Sequence, residues 1–340
     1  MREALLWEPD GDRIHCLLCP HDCRIAAGSR GICGVRENRD GTLLALTYAM
    51  VSSVAVDPIE KKPVFHYRPG TRALSLGSVG CSMRCGHCQN WQISRARPGG
   101  EEPLSRIEPD RVVELAREHR CEGVAFTYNE PVIWAEYVLD VATACKAAGI
   151  YTVMVTNGYI TTAGLDLIGD VIDVWRSDVK AFDDRTYREL CKARSVRPVL
   201  AAAERAKKRW GMHVEIVTNV IPTVNDDDAT LGGIATWIRD SLGPDTPWHI
   251  TRFFPYLDLA HLPPTPVATL EHARRIGRDA GLDFVFLGNV SAPGGEDTVC
   301  PHCGETAIGR DGYTITTRGT AGGACAACGT PLGIVEEERA

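Results

Sequence analysis

Short apolar runs alternate with segments of helical spacing over residues 73 to 288. Seven runs rich in β-branched and aliphatic residues predict strands, at 73–79, 122–127, 150–155, 171–177, 213–219, 247–253 and 284–288. Between them lie helical patterns, for example Trp134, Val138, Val141 and Cys145 after a helix start at Pro131. Strands that alternate with helices predict βαβ units and a parallel sheet. Six or seven such units fit a complete or partial β/α barrel.

Polar residues follow almost every one of these predicted strands. Barrel enzymes build their active sites at the carboxyl ends of the strands, so we expect these side chains to face one cavity. Each could singly be an ordinary cap or turn residue, but their recurrence along one rim favours a site. The candidates are Thr127, Asn129, Glu130, Asn157, Asp178, Lys180, Asn219 and Arg252.

Three parts of the chain differ in composition. Residues 1–72 form an N-terminal Cys-rich module and linker, 73–293 the α/β barrel, and 294–340 a second Cys-rich module. The linker ends in a proline-rich, charged segment at 57–70, which predicts either an ordered loop near the site or a solvated connector.

Composition narrows the functional classes. With 44% hydrophobic and 24% charged residues, the 340-residue chain is typical of a globular protein with an ample core. A net charge of -7 and the lack of a basic run argue against a nucleic-acid partner. We find neither a signal sequence nor a membrane-spanning run, so we expect a cytoplasmic protein without a membrane partner.

The chain has 14 cysteines, and eleven of them fall into three close-spaced clusters. In a reducing compartment such clusters indicate metal ligands rather than disulfides. Of the three remaining cysteines, Cys145 lies on a helical pattern and is expected in the core, and Cys191 precedes basic residues that suit a reactive thiol.

The central cluster is Cys81, Cys85 and Cys88, which directly follows the first predicted barrel strand. Soft thiolates select zinc, copper(I) or iron-sulfur clusters, and catalytic sites keep one coordination position open. A 4Fe-4S cluster on these three cysteines would leave one iron free to bind a cofactor through an amine and a carboxylate. The alternatives are a structural zinc knuckle or unrelated free thiols.

The N-terminal cluster is Cys16, Cys19, Cys23 and Cys33. Four thiols at this spacing fit either a tetrahedral zinc site or a second iron-sulfur cluster, since both take four thiolates. The module is therefore either a zinc clip that stabilises the N-terminus or a redox site.

The C-terminal cluster is Cys300, Cys303, Cys325 and Cys328. Two C-x2-C-G knuckles around the β-like segment 313–317 predict a zinc ribbon. Its role is either to dock a macromolecule or peptide or to cap the fold, and a rubredoxin-like iron site is a lesser alternative.

The spacing C-x3-C-x2-C at 81–88 resembles the signature of the radical S-adenosylmethionine (SAM) enzymes, except that His87 stands where an aromatic residue is usual. The resemblance implies a 4Fe-4S cluster whose open iron binds SAM, reductive cleavage of SAM to a 5′-deoxyadenosyl radical, and a reductant such as flavodoxin or ferredoxin. Cys81, Cys85 and Cys88 would be the catalytic ligands.

The strand ends also resemble motifs of that family. Residues 127–131 are similar to its Gly-Gly-Glu-Pro motif, 178–180 to the Asp-x-Lys element of the pyruvate formate-lyase activating enzymes, and 156–158 to their Thr-Asn-Gly run. Glu130 would then bind the ammonium of SAM, and Lys180 or Arg252 would bind its carboxylate. Asn157 and Asn219 would bind the ribose hydroxyls. Asp178 could instead form a simple ion pair with Lys180.

A narrower resemblance covers nearly the whole chain. The segments 16–21, 31–36, 57–63 and 88–91 resemble the radical SAM component of the AmmeMemoRadiSam system. That resemblance implies Memo-like and AMMECR-like proteins as partners and leaves the substrate open.

Three functions therefore stand. The first is a SAM-cleaving radical enzyme, an oxidoreductase or radical transferase that abstracts hydrogen from a protein, peptide or small molecule. The second, a subordinate form of the first, is a glycyl-radical-enzyme activase. The third is a non-catalytic iron-sulfur electron carrier, which leaves the polar strand ends unexplained.

Overall fold

A computed structural model of the chain describes residues 1–336. The last four residues of the predicted C-terminal module, 337–340, lie outside the described residues. None of the helices within 1–336 combines the length and apolar character needed to cross a membrane.

The N-terminal segment folds into small antiparallel sheets. Its strands are β1 (Arg2–Glu3), β2 (Trp7–Asp10), β3 (Arg13–Cys16), β4 (Arg24–Ala26), β5 (Arg36–Arg39), β6 (Thr42–Ala45) and β7 (Met50–Val51). They form the sheets β1-β6-β5 and β2-β3-β4, while β7 pairs with β10 (Ser105–Arg106). Two hairpins thus present the cysteine-bearing loops, which lie at the strand ends.

An eight-stranded sheet forms the centre of the molecule. Its strands are β8 (Ser53–Pro58), β9 (Arg72–Gly77), β11 (Gly123–Phe126), β12 (Tyr151–Thr156), β13 (Val174–Asp178), β14 (His213–Val220), β15 (Trp248–Arg252) and β16 (Val285–Gly288). From β9 to β16 the strands are parallel and adjacent in chain order, and β8 runs antiparallel at the β9 edge. All seven predicted strands are confirmed. Because β8 precedes residue 72, the sheet extends beyond the segment assigned to it from sequence.

Helices connect the parallel strands. The α-helices are α1 (Trp91–Arg95), α2 (Pro109–Glu118), α3 (Ala135–Ala147), α4 (Thr162–Ile168), α5 (Asp184–Thr186), α6 (Arg197–Trp210), α7 (Asp228–Trp237) and α8 (Val267–Asp279). Shorter 3₁₀ turns lie at Ile59–Lys61, Pro131–Trp134, Gly169–Val171 and Leu257–Leu259, and π turns at Tyr187–Cys191 and Ile238–Leu242. The fully buried Cys145 on α3 confirms the predicted core position.

The C-terminal module packs against β16 and the segment that precedes β9. It consists of β17 (Thr298–Val299), β18 (Thr306–Asp311), β19 (Thr314–Arg318), β20 (Thr320–Ala321) and β21 (Ala324–Cys325). Its buried core, which includes Ile308 and Leu332, is continuous with Phe65, Phe284 and Phe286 of the central domain. The segment that precedes β9 therefore joins the module to the sheet.

Candidate active site

A cavity of about 1020 Å³ opens at the carboxyl ends of the parallel strands. Parallel strands in chain order bring all their carboxyl ends to one edge, and the polar strand ends accordingly meet there. Ten of the eleven residues predicted for catalysis and SAM binding line it: Cys81, Cys85, Cys88, Thr127, Asn129, Glu130, Asn157, Asp178, Lys180 and Asn219. Arg252 is not among the lining residues.

The three cysteines lie on the loop that follows β9. Cys81 Sγ accepts a hydrogen bond from the Met83 amide at 3.3 Å, and the Ser94 hydroxyl lies 3.2 Å from Cys88 Sγ. Donors to sulfur stabilise thiolate ligands and tune the cluster that they bind. Three thiols with one face open to the cavity fit a 4Fe-4S cluster, because such a site keeps one position free for a second ligand.

Cys85 has a second thiol beside it. The backbone of the loop pairs with the π turn, where the Arg84 amide donates to the Cys191 carbonyl at 2.9 Å and Gly86 donates to Leu190 at 3.0 Å. A hydrogen bond from the Cys191 thiol lowers the pKa of Cys85 against the effect of burial, and the nearby Lys180 ammonium acts in the same direction. Sequence analysis noted Cys191 only as a candidate reactive thiol; its contact with Cys85 is a tertiary one.

Residues 128 and 129 hold neighbouring loops in place. Tyr128 has a left-handed φ of 72°, and its hydroxyl donates to Asp57 at 2.7 Å. Asn129 accepts from the Ser78 amide at 3.0 Å and donates to the Gly80 carbonyl at 2.9 Å. The Asn129 side chain therefore fixes the start of the cysteine loop, and Tyr128 ties its own loop to the end of β8.

Glu130 is buried and accepts three hydrogen bonds from the protein. One oxygen takes the Val132 amide at 2.9 Å and the Thr156 hydroxyl at 2.5 Å, and the other takes the Asn157 amide at 2.8 Å. Burial raises the pKa of Glu130 to about 7, although these donors favour its charged form. A carboxylate has about four acceptor positions, so one remains for an ammonium from the cavity.

Asp178 and Lys180 form an ion pair at the end of β13. Lys180 Nζ lies 2.7 Å from one Asp178 oxygen, and Arg176 binds the other. Burial opposes the charge, but the Arg176 guanidinium and the Lys180 ammonium hold the pKa of Asp178 at about 2. The ion-pair alternative is thus present in the structure, with Lys180 at the cavity wall. Arg176 also lines the cavity but escaped sequence analysis, because it lies inside the strand.

The amides predicted for ribose contacts have protein partners as well. Asn157 Nδ2 donates to Ser82 Oγ at 3.1 Å and lies 3.7 Å from Cys81 Sγ. Asn219 Nδ2 donates to the Thr251 hydroxyl at 3.1 Å. Arg252, which is not among the lining residues, donates its Nε to the Thr265 carbonyl at 2.9 Å.

Two segments distant in sequence complete the cavity wall. Residues 60–63, with the buried Lys62 paired to Asp57 at 2.6 Å, line one part. Residues 310–313 of the C-terminal module line another. The charged segment 57–70 is therefore an ordered loop at the site, which was the first of its two predicted alternatives. From the module, Tyr313 adds an exposed aromatic ring to this wall.

The two outer cysteine clusters differ in spacing. The sulfurs of Cys300 and Cys328 lie 3.6 Å apart, and those of Cys303 and Cys325 lie 3.7 Å apart. All four lie within 4.8 Å of one another, so this group could hold a metal ion. Within residues 1–336, no other group of three or more Cys, His, Asp or Glu side chains meets that spacing.

Comparison with known proteins agrees with this geometry. Residues 76–231 match the family model described as the Radical SAM superfamily. The chain is 42% identical over 311 residues to an uncharacterized protein of Methanocaldococcus jannaschii, covering 91% of this chain and 92% of that protein.

More distant relatives have assigned functions or known structures. The pyruvate formate-lyase 1-activating enzyme of Escherichia coli K12 is 28% identical over 179 residues, covering 51% of this chain and 70% of the enzyme. A radical SAM methyltransferase from Sphaerobacter thermophilus has a similar fold, with a TM-score of 0.50 at 16% identity over 64% of this chain and 66% of that chain. The second likeness concerns the fold alone.

Proposed function

Because the chain belongs to the radical SAM superfamily, we propose that it binds SAM against Cys81, Cys85 and Cys88 and cleaves it reductively. Superfamily membership implies an enzyme with a 4Fe-4S cluster and SAM. The observation that carries the proposal is the convergence of these three thiols and seven further polar residues on one cavity. When bound, the cluster supplies the electron that cleaves SAM to methionine and a 5′-deoxyadenosyl radical.

The residues of the chain divide into ligands and supports. Cys81, Cys85 and Cys88 would hold the cluster, and the remaining acceptor position of Glu130 suits the SAM ammonium. Lys180 is the cation that we assign to the SAM carboxylate in preference to Arg252, because Lys180 lines the cavity and Arg252 does not. Asn129 and Asn157 keep the cysteine loop in place, and Thr127, Asp178 and Asn219 complete the polar rim.

Finer assignments extend this proposal. We assign the fold to a partial (β/α)6-type barrel between an N-terminal Cys-rich module (1–72) and a zinc ribbon (294–340). Zinc at Cys300, Cys303, Cys325 and Cys328 is supported by their spacing, because Zn–S bonds of about 2.3 Å place tetrahedral sulfurs about 3.8 Å apart.

An AmmeMemoRadiSam role in the cytoplasm, with Memo-like and AMMECR-like partners, rests on sequence resemblance. The proposed substrate is a protein, peptide or small molecule at the cavity mouth.

A glycyl-radical-enzyme activase is the second candidate. Its support is the similarity to the pyruvate formate-lyase 1-activating enzyme of E. coli over about half of this chain. The electron-carrier alternative has less support, because a carrier has no use for a polar cavity of this size beside its cluster.

Formation of 5′-deoxyadenosine from SAM tests the proposal. We expect the anaerobically reconstituted, dithionite-reduced protein to form it, and the variant Cys85→Ala to form less by at least about a hundredfold, since one cluster ligand is lost. Zinc content serves as the control, because Cys85→Ala leaves the C-terminal group intact. Equal SAM cleavage by the variant would overturn the cluster assignment.

A further inference from the structure

The four N-terminal cysteines lie together on two loops. Cys16 ends β3, and its amide donates to the Cys23 carbonyl at 2.9 Å. The loop with Cys33 lies beside Cys23, because a Cβ added to Gly31 would lie 3.6 Å from Cys23 Sγ. Cys16 is buried, and Cys19, Cys23 and Cys33 are each partly shielded from solvent. The loops that carry the four cysteines are therefore packed together.

The spacing favours a cluster over a single ion. The C-terminal thiols stand as close as one tetrahedral zinc requires. Neither the N-terminal thiols nor the catalytic ones do so within the described part of the chain, residues 1–336. An iron-sulfur cluster contains several ions and separates its ligands more widely, and four thiolates hold it.

The N-terminal loops contact the catalytic loop directly. Gly80 has a φ of 87°, and a Cβ there would lie 2.7 Å from the Cys33 carbonyl oxygen. The buried His21 donates to the Ser82 carbonyl at 2.5 Å. Ser82 follows Cys81 and accepts from Asn157, so a short path of bonded groups joins the two cysteine sets.

A basic surface surrounds these loops. A groove of about 610 Å³ is lined by Arg30, Arg84 and Arg97, and the exposed Ile32 also lines it. Arg30 pairs with Glu37, whereas no carboxylate of residues 1–336 forms an ion pair with Arg84 or Arg97. In a chain with a net charge of -7, such a patch suits an acidic partner.

We propose that Cys16, Cys19, Cys23 and Cys33 hold a second iron-sulfur cluster that takes electrons from an acidic one-electron carrier protein bound at this groove. The carrier is oxidised by one electron and the N-terminal cluster is reduced by one. That cluster then returns to its oxidised state as the electron passes to the catalytic cluster, where SAM cleavage consumes it. The electron-transfer part rests on the proposed function; the metal assignment does not.

Metal content tests the assignment. The reconstituted wild-type protein should hold more than about four iron ions per chain, and the double variant Cys19→Ala, Cys23→Ala should lose about two to four of them and no zinc. About four iron ions in the wild type, with loss of zinc in the variant, would overturn the proposal. This readout holds even if no form of the protein cleaves SAM, an outcome that would refute the proposed function alone.

The ratio of two cleavage rates tests the electron path. Reduced flavodoxin serves as the acidic carrier and dithionite as the small reductant. We expect the ratio of the SAM cleavage rate with flavodoxin to that with dithionite to fall at least about tenfold in Arg97→Glu, because the charge reversal repels the carrier. The ratio should fall at least as far in the cysteine variant. Arg117→Glu, on α2, is the matched control and should keep the wild-type ratio. An unchanged ratio in Arg97→Glu would refute the groove as the docking surface, and one in the cysteine variant would refute the path.

Discussion

At the scale of single residues, close contacts between loops decide how the cysteines are placed. Gly80 lies between β9 and Cys81, where its left-handed backbone meets the carbonyl of Cys33. Sequence analysis identified the cysteines from their spacing, but the side chains of Asn129 and Asn157, predicted for SAM, also hold this loop. Such double roles arise from contacts between distant segments, and local patterns do not contain them.

Replacement of Gly80 by alanine should be costly. Its Cβ would lie 2.7 Å from both the Cys33 carbonyl and a Val35 methyl group, in addition to the strain of a left-handed residue. We expect a loss of about 3 kcal/mol of unfolding free energy, the sum of about 1 kcal/mol of backbone strain and about 2 kcal/mol of overpacking.

Gly99→Ala is the matched control for this variant. Gly99 has nearly the same φ, 85°, and nothing lies within 4 Å of its Cβ position, so it should lose only about 1 kcal/mol. Urea unfolding of both variants measures the difference. Equal losses would contradict the close packing of the N-terminal module on the catalytic loop.

At the scale of elements, one buried segment joins the C-terminal module to the sheet. His66 is fully buried, lies 3.2 Å from the Thr298 hydroxyl and packs edge-on against Phe284. The Val335 amide donates to the His66 carbonyl at 2.8 Å. The seven strands were predictable because each has its own apolar run, but this joint links residues more than 200 positions apart and has no local pattern.

The buried His66 should make the protein sensitive to acid. Burial lowers the pKa of His66 to about 3, so the unfolded chain, with an ordinary histidine, binds more protons between that pH and about 6.5. This contribution to stability is complete above pH 6.5 and is lost as the pH falls. Between pH 7 and pH 5 the loss should be about 2 kcal/mol.

The variant His66→Phe isolates this effect. Phenylalanine cannot take up a proton, so the variant should lose about 2 kcal/mol less than the wild type over that pH range. Urea unfolding at pH 7 and pH 5 measures the difference, and His119→Phe, at an exposed position, controls for the exchange of residue type. Identical pH dependence in wild type and His66→Phe would show that His66 is not the group responsible.

At the scale of the whole molecule, the cavity at the carboxyl edge of the parallel strands combines residues from position 60 to position 313 of the chain. The alternation of strands and helices and the polar strand ends predicted the sheet and seven residues of the cavity wall, and the cysteine spacing predicted three more. Arg252 does not line that wall and donates to Thr265 instead, and the contribution of residues 310–313 depends on how the C-terminal module packs. Local patterns therefore gave the ends of the strands, while long-range packing determined which side chains remain available to a ligand.

The electron paramagnetic resonance spectrum of the reduced protein, with and without SAM, tests the central claim most directly. If Cys81, Cys85 and Cys88 hold a 4Fe-4S cluster with one open iron, SAM should shift the g-values of the reduced-cluster signal. Cys85→Ala should lose the SAM-sensitive signal and keep any signal from the N-terminal group. A reduced-cluster signal that SAM leaves unchanged in the wild-type protein would contradict SAM binding at this cluster.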